Sequence, residues 1–245
     1  KAFDIADRLQ TPVIVLLDLD LGMNDWSTSE FVWDDNLKFD RGKVLSRKDL
    51  DNMNEFGRYL DVDGDGIPYR TYPATHPEKG AFFTRGTSHD EYARYTEDGE
   101  VNAATLSRLM KKFRTASELV PEPVIEINGE DSCGVIFYGS TSPAVHEAKD
   151  ILKDKEINID LMQIRSFPFN LDVWEFIANH DRIYVVEQNR DSQMRTLIMA
   201  EGGISPEILR PLVHFTGDPI QASYIVNKIS EREVNYKSHI NAKKR

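Results

Sequence analysis

Gly134-Val135-Ile136-Phe137-Tyr138, followed by Gly139-Ser140-Thr141 and then Ser142-Pro143, reads as a strand, a tight turn and a helix start in direct succession. The first run carries β-branched and aromatic side chains without polar interruption, as expected of a strand covered on both faces of a parallel sheet. Ser142 is a capping residue and Pro143 a first-turn proline, so residues 144–155 are expected to continue as a helix. The alternation recurs downstream. Residues 157–164 read as a second strand, and Asn170 caps a helix carrying Leu171, Val173, Trp174, Phe176 and Ile177. Residues 182–187 read as a third strand, 191–200 as a helix, 212–215 as a short strand and 219–230 as the closing helix. Such alternation predicts an α/β domain, a parallel sheet with helices on both faces. No internal repeat is visible.

Upstream, residues 18–132 lose clean periodicity and are rich in Asp, Gly, Pro, Tyr and Arg. The stretch is too long for an ordinary structureless loop, and Trp26, Trp33, Phe39, Tyr59, Tyr69, Tyr72, Phe82, Phe83, Tyr92 and Tyr95 argue against disorder, so it is expected to pack on a surface. One helix is expected inside it, over residues 101–118, where Leu106, Leu109, Met110 and Phe113 recur at helical spacing. Pro121 and Pro123 then mark a boundary. At the start, Ala2-Phe3-Asp4-Ile5-Ala6-Asp7-Arg8-Leu9 reads as a helix with no capping signal before it, Thr11-Pro12 ends it, and Val13-Ile14-Val15-Leu16-Leu17 reads as a buried strand. A lone helix and strand form no domain, so the chain reads as a fragment whose remaining sheet lies N-terminal to Lys1.

The 245 residues carry 40% hydrophobic content, enough for one ordinary core and a long excursion. No apolar run approaches the ~20 residues of a membrane span, and no leader pattern is present, so a soluble cytoplasmic protein is expected. A net charge of -11 argues against a nucleic-acid partner. Lys243-Lys244-Arg245 reads as a solvated basic tail. Cys133 is the single cysteine, which excludes disulfides and any complete iron-sulfur cluster within this chain.

Asp61-Val62-Asp63-Gly64-Asp65-Gly66 places oxygen ligands at the first, third and fifth positions of an EF-hand-like loop, with the turn glycine at the sixth. The twelfth position is Tyr72 instead of a bidentate carboxylate, and Pro68 interrupts the loop. Two readings remain: a structural calcium or magnesium site on Asp61, Asp63 and Asp65, or a turn with solvated carboxylates. Arg70, Arg85 and His89 lie in a Gly-rich setting where cations can engage a dicarboxylate or phosphate, with pairing to Asp90, Glu91, Glu97 or Asp98 as the alternative. Gly139-Ser140-Thr141 could offer N–H groups to an anion, but it lacks a Walker lysine and a dinucleotide glycine pattern, so a tight turn is the reading. Glu187-Gln188-Asn189-Arg190 falls at the carboxyl end of the third strand, where open α/β sheets meet ligands or partners, and is read as an interface. The remaining histidines show no ligand spacing, and no catalytic residue is assigned.

The run Ile67-Pro68-Tyr69-Arg70-Thr71 with Lys79-Gly80-Ala81-Phe82-Phe83-Thr84-Arg85-Gly86-Thr87-Ser88-His89-Asp90-Glu91 resembles the α subunit of 2-oxoacid:ferredoxin oxidoreductases, the 2-oxoglutarate type in particular. Ala6-Asp7-Arg8-Leu9-Gln10-Thr11-Pro12-Val13, Val186-Glu187-Gln188-Asn189-Arg190 and Gly217-Asp218-Pro219-Ile220 extend the resemblance over nearly the full chain. It implies a remnant of a thiamine-pyrimidine-binding domain at residues 1–25, a connector with one helix at 26–132, a transketolase-C-terminal-like domain at 133–235 and a basic tail at 236–245. It further implies oxidative decarboxylation of a 2-oxoacid on thiamine diphosphate, electron transfer through a [4Fe-4S] cluster to ferredoxin, and release of acyl-CoA. The diphosphate, magnesium and cluster sites would belong to a β subunit, and the thiamine-activating acid and substrate motif to the N-terminal remainder of the α subunit. The expectation is therefore a scaffold and interface portion of a heteromer that binds none of these cofactors wholly and is inactive alone. Arg70, Arg85 and His89 would lie on a substrate or CoA rim. Pyruvate or another 2-oxoacid as substrate, and a calcium-binding interaction module, are the alternatives.

Overall fold

A computed structural model describes residues 1–129 and 132–243. In chain order its helices are α1 (Ala2–Leu9), α2 (Leu19–Gly22), α3 (Arg47–Asn52), α4 (Gly99–Ala116), α5 (Ser142–Asp154), α6 (Leu171–Ala178), α7 (Gln193–Gly202) and α8 (Ala222–Lys243). The strands are β1 (Val124–Glu126), β2 (Cys133–Phe137), β3 (Ile159–Gln163), β4 (Ile183–Glu187) and β5 (Leu209–Val213). The chain divides into two compact units, Lys1–Val15 with Thr28–Val120, and Leu16–Ser27 with Pro121–Arg245. No helix among the described residues is long and apolar enough to cross a membrane.

The second unit is the α/β domain. Its sheet runs in the order β1-β3-β2-β4-β5, with β3, β2, β4 and β5 parallel and β1 antiparallel on the β3 edge. Because side chains alternate across a strand, the apolar runs supply two cores at once. Cys133, Val135, Phe137, Leu161, Tyr184 and Val186 meet Val145, Ala148 and Leu152 of α5 and Ile225 and Ile229 of α8 on one face. Ile136, Met162, Ile183 and Val185 meet Val173, Phe176 and Ile177 of α6 and Ile198 of α7 on the other. Gly134 is needed for this fit: a Cβ there would come within 2.9 Å of Ile183 Cγ1 and 3.0 Å of Phe176 Cε1.

Several boundaries differ from expectation. The strand expected at 212–215 is β5, three residues earlier; Pro211 reads as a breaker, yet an edge strand tolerates a residue without an N–H. The closing helix begins at Ala222 and continues to Lys243, so residues 236–243 of the expected tail are helical, while Lys244 and Arg245 lie outside the described residues. β1 was not anticipated, since a three-residue edge strand carries almost no periodic signal. The Ser142 cap is also corrected: Thr141 precedes the helix and Pro143 stands in its first turn. Asn170 precedes α6 without a side-chain capping bond.

The first unit packs Ile5 and Leu9 of α1 against Ile67 and Ala116. It holds α3 besides the expected helix; the Ser46 side chain accepts from Asp49 N while Asp49 accepts from Ser46 N, a reciprocal cap that starts the short turn. Residues 13–17 do not form the expected strand. They are unpaired and exposed, with Ile14 79% and Leu16 86% accessible, because a strand needs a ladder partner and the described residues provide none for it. Helix α4 has its apolar stripe on the surface, with Leu106 54% and Met110 56% exposed, while Arg108, Lys112 and Thr115 turn towards the loop after Asp61.

Candidate functional site

The carboxyl edge of the sheet is where strand order reverses: β3 lies on one side of β2 and β4 on the other, so the loops after β2 and β4 diverge and open a crevice. Glu187 ends β4 and is fully buried. Its carboxylate accepts from the N–H groups of Met194 at 2.8 Å and Arg195 at 3.0 Å, in the first turn of α7, and from Asn189 Nδ2 at 2.7 Å. A carboxylate there satisfies orphan donors and complements the helix dipole. Tyr138 donates to it at 3.3 Å, and burial together with the Glu187 charge pushes the phenol up to about 12. Gln188 donates to Ser140 Oγ and Thr141 Oγ1 and accepts from Ile220 N at 3.1 Å, tying the loops after β2, β4 and β5 together. Arg190 alone of the quartet turns outward, pairing with Asp191 at 2.7 Å. The Gly139–Thr141 turn already holds an anion from the same unit: Asp18 Oδ2 accepts from Ser140 N at 2.9 Å. Glu187, Gln188 and Asn189 thus find their partners within the unit, while Asn170 Oδ1 ahead of α6 is buried without a partner among the described residues and Ser142 Oγ at the start of α5 lies 3.4 Å from His146 Nδ1.

In the first unit, Arg70 bonds Asp7 at 3.2 Å and the Arg41 carbonyl at 2.8 Å. Arg85 lies over the Tyr95 ring at 5.6 Å. His89 stacks on Tyr59 with ring centroids 3.9 Å apart. Sequence reasoning missed the cations that sit beside Tyr59. The Arg58 guanidinium lies 5.0 Å from the Tyr59 ring and 5.4 Å from Phe82, and Arg108 approaches Tyr59 at 5.8 Å. Burial, with the charges of Arg70 and Arg108, draws Arg58 below its usual range, and burial with Arg108 and Arg58 does the same to Lys112. The i, i+4 spacing of Arg108 and Lys112 on α4 was the available signal.

The aspartate loop is organised around lysines. Asp61 Oδ1 accepts from Gly64 N and Gly66 N at 3.0 Å each, and Lys111 reaches Oδ2 at 3.2 Å. The Lys43 ammonium is 2.7 Å from Asp63, 2.8 Å from Asp65 and 3.0 Å from the Ile67 carbonyl. These are the third, fifth and seventh oxygens of the EF-hand count, so an internal ammonium takes the place a metal ion would need.

No family model matches the chain. Curated relatives do. A 2-oxoacid:ferredoxin oxidoreductase α subunit of Aeropyrum pernix is 29% identical over 236 residues, covering 94% of this chain and 35% of that protein. The α subunit of Saccharolobus solfataricus is 26% identical over 212 residues, covering 84% and 32%. The chain is similar over most of its length to 2-oxoacid:ferredoxin oxidoreductase α subunits. It spans about a third of the length of the curated relatives it matches. The fold matches a 2-oxoglutarate:ferredoxin oxidoreductase from Magnetococcus marinus, solved with 2-oxoglutarate, coenzyme A and succinyl-CoA bound, at a TM-score of 0.76 over 93% of this chain and 38% of that one, with 22% identity.

The described residues of this chain do not fit an iron-sulfur ligand set. Cys133 is fully buried at the start of β2, and burial first, then the nearby Glu233 charge, raises its thiol to about 12, away from the thiolate a cluster needs. Among the described residues no group of His, Cys, Asp and Glu is arranged for a metal.

Proposed function

We propose that this chain is the C-terminal portion of the α subunit of a cytoplasmic 2-oxoacid:ferredoxin oxidoreductase, with 2-oxoglutarate as the substrate class, and that it serves as scaffold and subunit interface. Thiamine diphosphate would supply the carbanion-stabilising chemistry in the complete complex, from groups held outside this chain. In this reading the residues here orient loops and bury surface. A β subunit carrying the cofactors, the rest of the α subunit and ferredoxin are the partners of this reading.

The observation that carries it is the apolar strap. Val13 to Leu17 is uniformly apolar, and Trp26, Phe31, Val32 and Trp33 are 73%, 91%, 92% and 76% exposed. Large apolar side chains left exposed in such number along one segment of chain support a contact with another polypeptide. The 2-oxoglutarate assignment rests on the resemblance and on the ligands named for the Magnetococcus marinus enzyme. The test is co-expression with the remaining α-subunit sequence and the β subunit: the chain should co-purify with them, and only the assembly should reduce a dye with 2-oxoglutarate and CoA. Dye reduction by this polypeptide alone would overturn the reading.

A further inference from the structure

We infer that Arg58, Arg108 and Lys112 form a binding site for a small multiply charged oxyanion, of the phosphoryl or compact carboxylate class. The site lies wholly in the first unit. Arg108 and Lys112 stand one turn apart on α4, and like charges at that spacing repel. Arg58 and Arg108 nonetheless converge on one ring, Tyr59, at 5.0 and 5.8 Å, and Arg58 also lies 5.4 Å from the Phe82 ring. Neither contact with the aromatic faces nor the few carbonyls in reach satisfies these donors. Arg58 Nη1 is buried and finds no acceptor among the described residues. Arg108 Nη1 reaches only the Gly66 carbonyl at 3.0 Å, and Lys112 only Gln10 O and Thr11 Oγ1 at 3.2 and 2.7 Å.

The acids nearby are engaged elsewhere. Asp61 faces Arg108 but bonds Lys111 and two backbone N–H groups, and Asp7 divides its oxygens between Arg41 and Arg70. A chain with a net charge of -11 has acids in excess, yet no side-chain carboxylate is paired with Arg58 or Lys112 among the described residues. Guanidinium forks and an ammonium supply the directed donors that oxyanions take best. A bound oxyanion would satisfy the orphan nitrogen and remove the mutual repulsion in one step. Tyr59, stacked on His89, would wall the site on its aromatic side.

This assignment stands on the geometry of the first unit alone, so its failure and that of the subunit reading are separate. The experiment is thermal melting of the full chain in potassium chloride against phosphate, pyrophosphate or succinate at matched ionic strength. The expected result is a saturable rise in melting temperature, with the tighter of the phosphate and succinate arms naming the phosphoryl or carboxylate class. Arg58→Met should weaken the apparent affinity about tenfold or more, while melting no lower than wild type without anion, since a desolvated charge is removed. Arg94→Gln, which alters an exposed cation paired with Glu55, should leave the response unchanged. If Arg58→Met does not fold, Arg108→Gln gives the same readout. Absence of a saturable response to all three anions, or a response that Arg58→Met and Arg108→Gln retain in full, overturns the assignment.

Discussion

Arg182 at the foot of β4 grips Glu233 of α8 from two sides, with Nε 3.0 Å from both carboxylate oxygens and Nη2 2.8 Å from Oε2. Glu233 is only 2% exposed, and the Tyr184 hydroxyl donates to it at 2.8 Å. The pair fixes the last helix to the sheet across the face that also holds Cys133. Breaking a buried pair from one side leaves an uncompensated charge, so Glu233→Gln should lower stability by about 3 kcal/mol, whereas Arg182→Met with Glu233→Leu should cost far less. Chemical denaturation of the two variants, with the Arg182→Met and Glu233→Leu single variants closing the double-mutant cycle, checks this.

Glu187 is another buried carboxylate, and its role is positional. It spans the end of β4 and the first turn of α7, where it replaces the side-chain cap that Ser192 does not supply. Glu187→Ala should strand the Met194 and Arg195 N–H groups and the Asn189 amide, at about 2 kcal/mol in stability. Hydrogen exchange should show the added opening concentrated in residues 189–197 instead of spread through the sheet.

The parallel sheet was legible because Gly134 to Tyr138 and residues 183–186 carry no charged side chain at any position, which only burial on both faces allows. The carboxyl-edge quartet was legible as a place, though the sequence could not tell an internal brace from an interface, since Glu187 and Asn189 find their partners across α7 and Tyr138. The same limit explains residues 13–17. Their composition asks for a strand, but pairing is a property of neighbours. Arg58 was missed for a related reason: its convergence with Arg108 on the Tyr59 ring joins distant parts of the chain and depends on how α4 is turned.

Asp18 gives a pH-dependent contact. Burial acts to raise its carboxyl, but N–H bonds from Leu21 and Ser140 outweigh this and hold it below the ordinary range. A carboxyl lowered by folding stabilises above its unfolded value of about 3.9 and loses that stabilisation as pH falls through the folded value. Residues 16–27 should therefore stay anchored to the Gly139–Thr141 turn at neutral pH and loosen in acid. Asp18→Asn should mimic the acid state at neutral pH, seen as faster thermolysin cleavage before Leu19 or Leu21.

Lys43 predicts indifference to calcium. With its ammonium already on Asp63, Asp65 and the Ile67 carbonyl, millimolar calcium should leave the melting temperature of the wild type unchanged. Lys43→Met should destabilise the first unit, because Asp63 and Asp65 lose their counter-charge, and calcium should then restore part of the loss. A calcium-induced rise in the wild type would show that the lysine yields to the metal.

Gly64 and Gly66 stand two residues apart with nearly the same backbone, φ +78° and +81°, yet they predict different outcomes. Around Gly64 nothing lies within 4 Å of the point a Cβ would occupy, so Gly64→Ala should cost only the left-handed conformation, about 1 kcal/mol. Around Gly66 the same atom would collide with the α4 backbone at Lys112 N and would lie 2.7 Å from Arg108 O. Neither partner is the end of a flexible side chain, so α4 itself must move, and overpacking adds about 1–3 kcal/mol to the conformational term. Thermal melting should therefore separate the two variants by several degrees. Gly66→Ala should also weaken any oxyanion response, because displacing α4 moves Arg108 and Lys112 together away from Arg58.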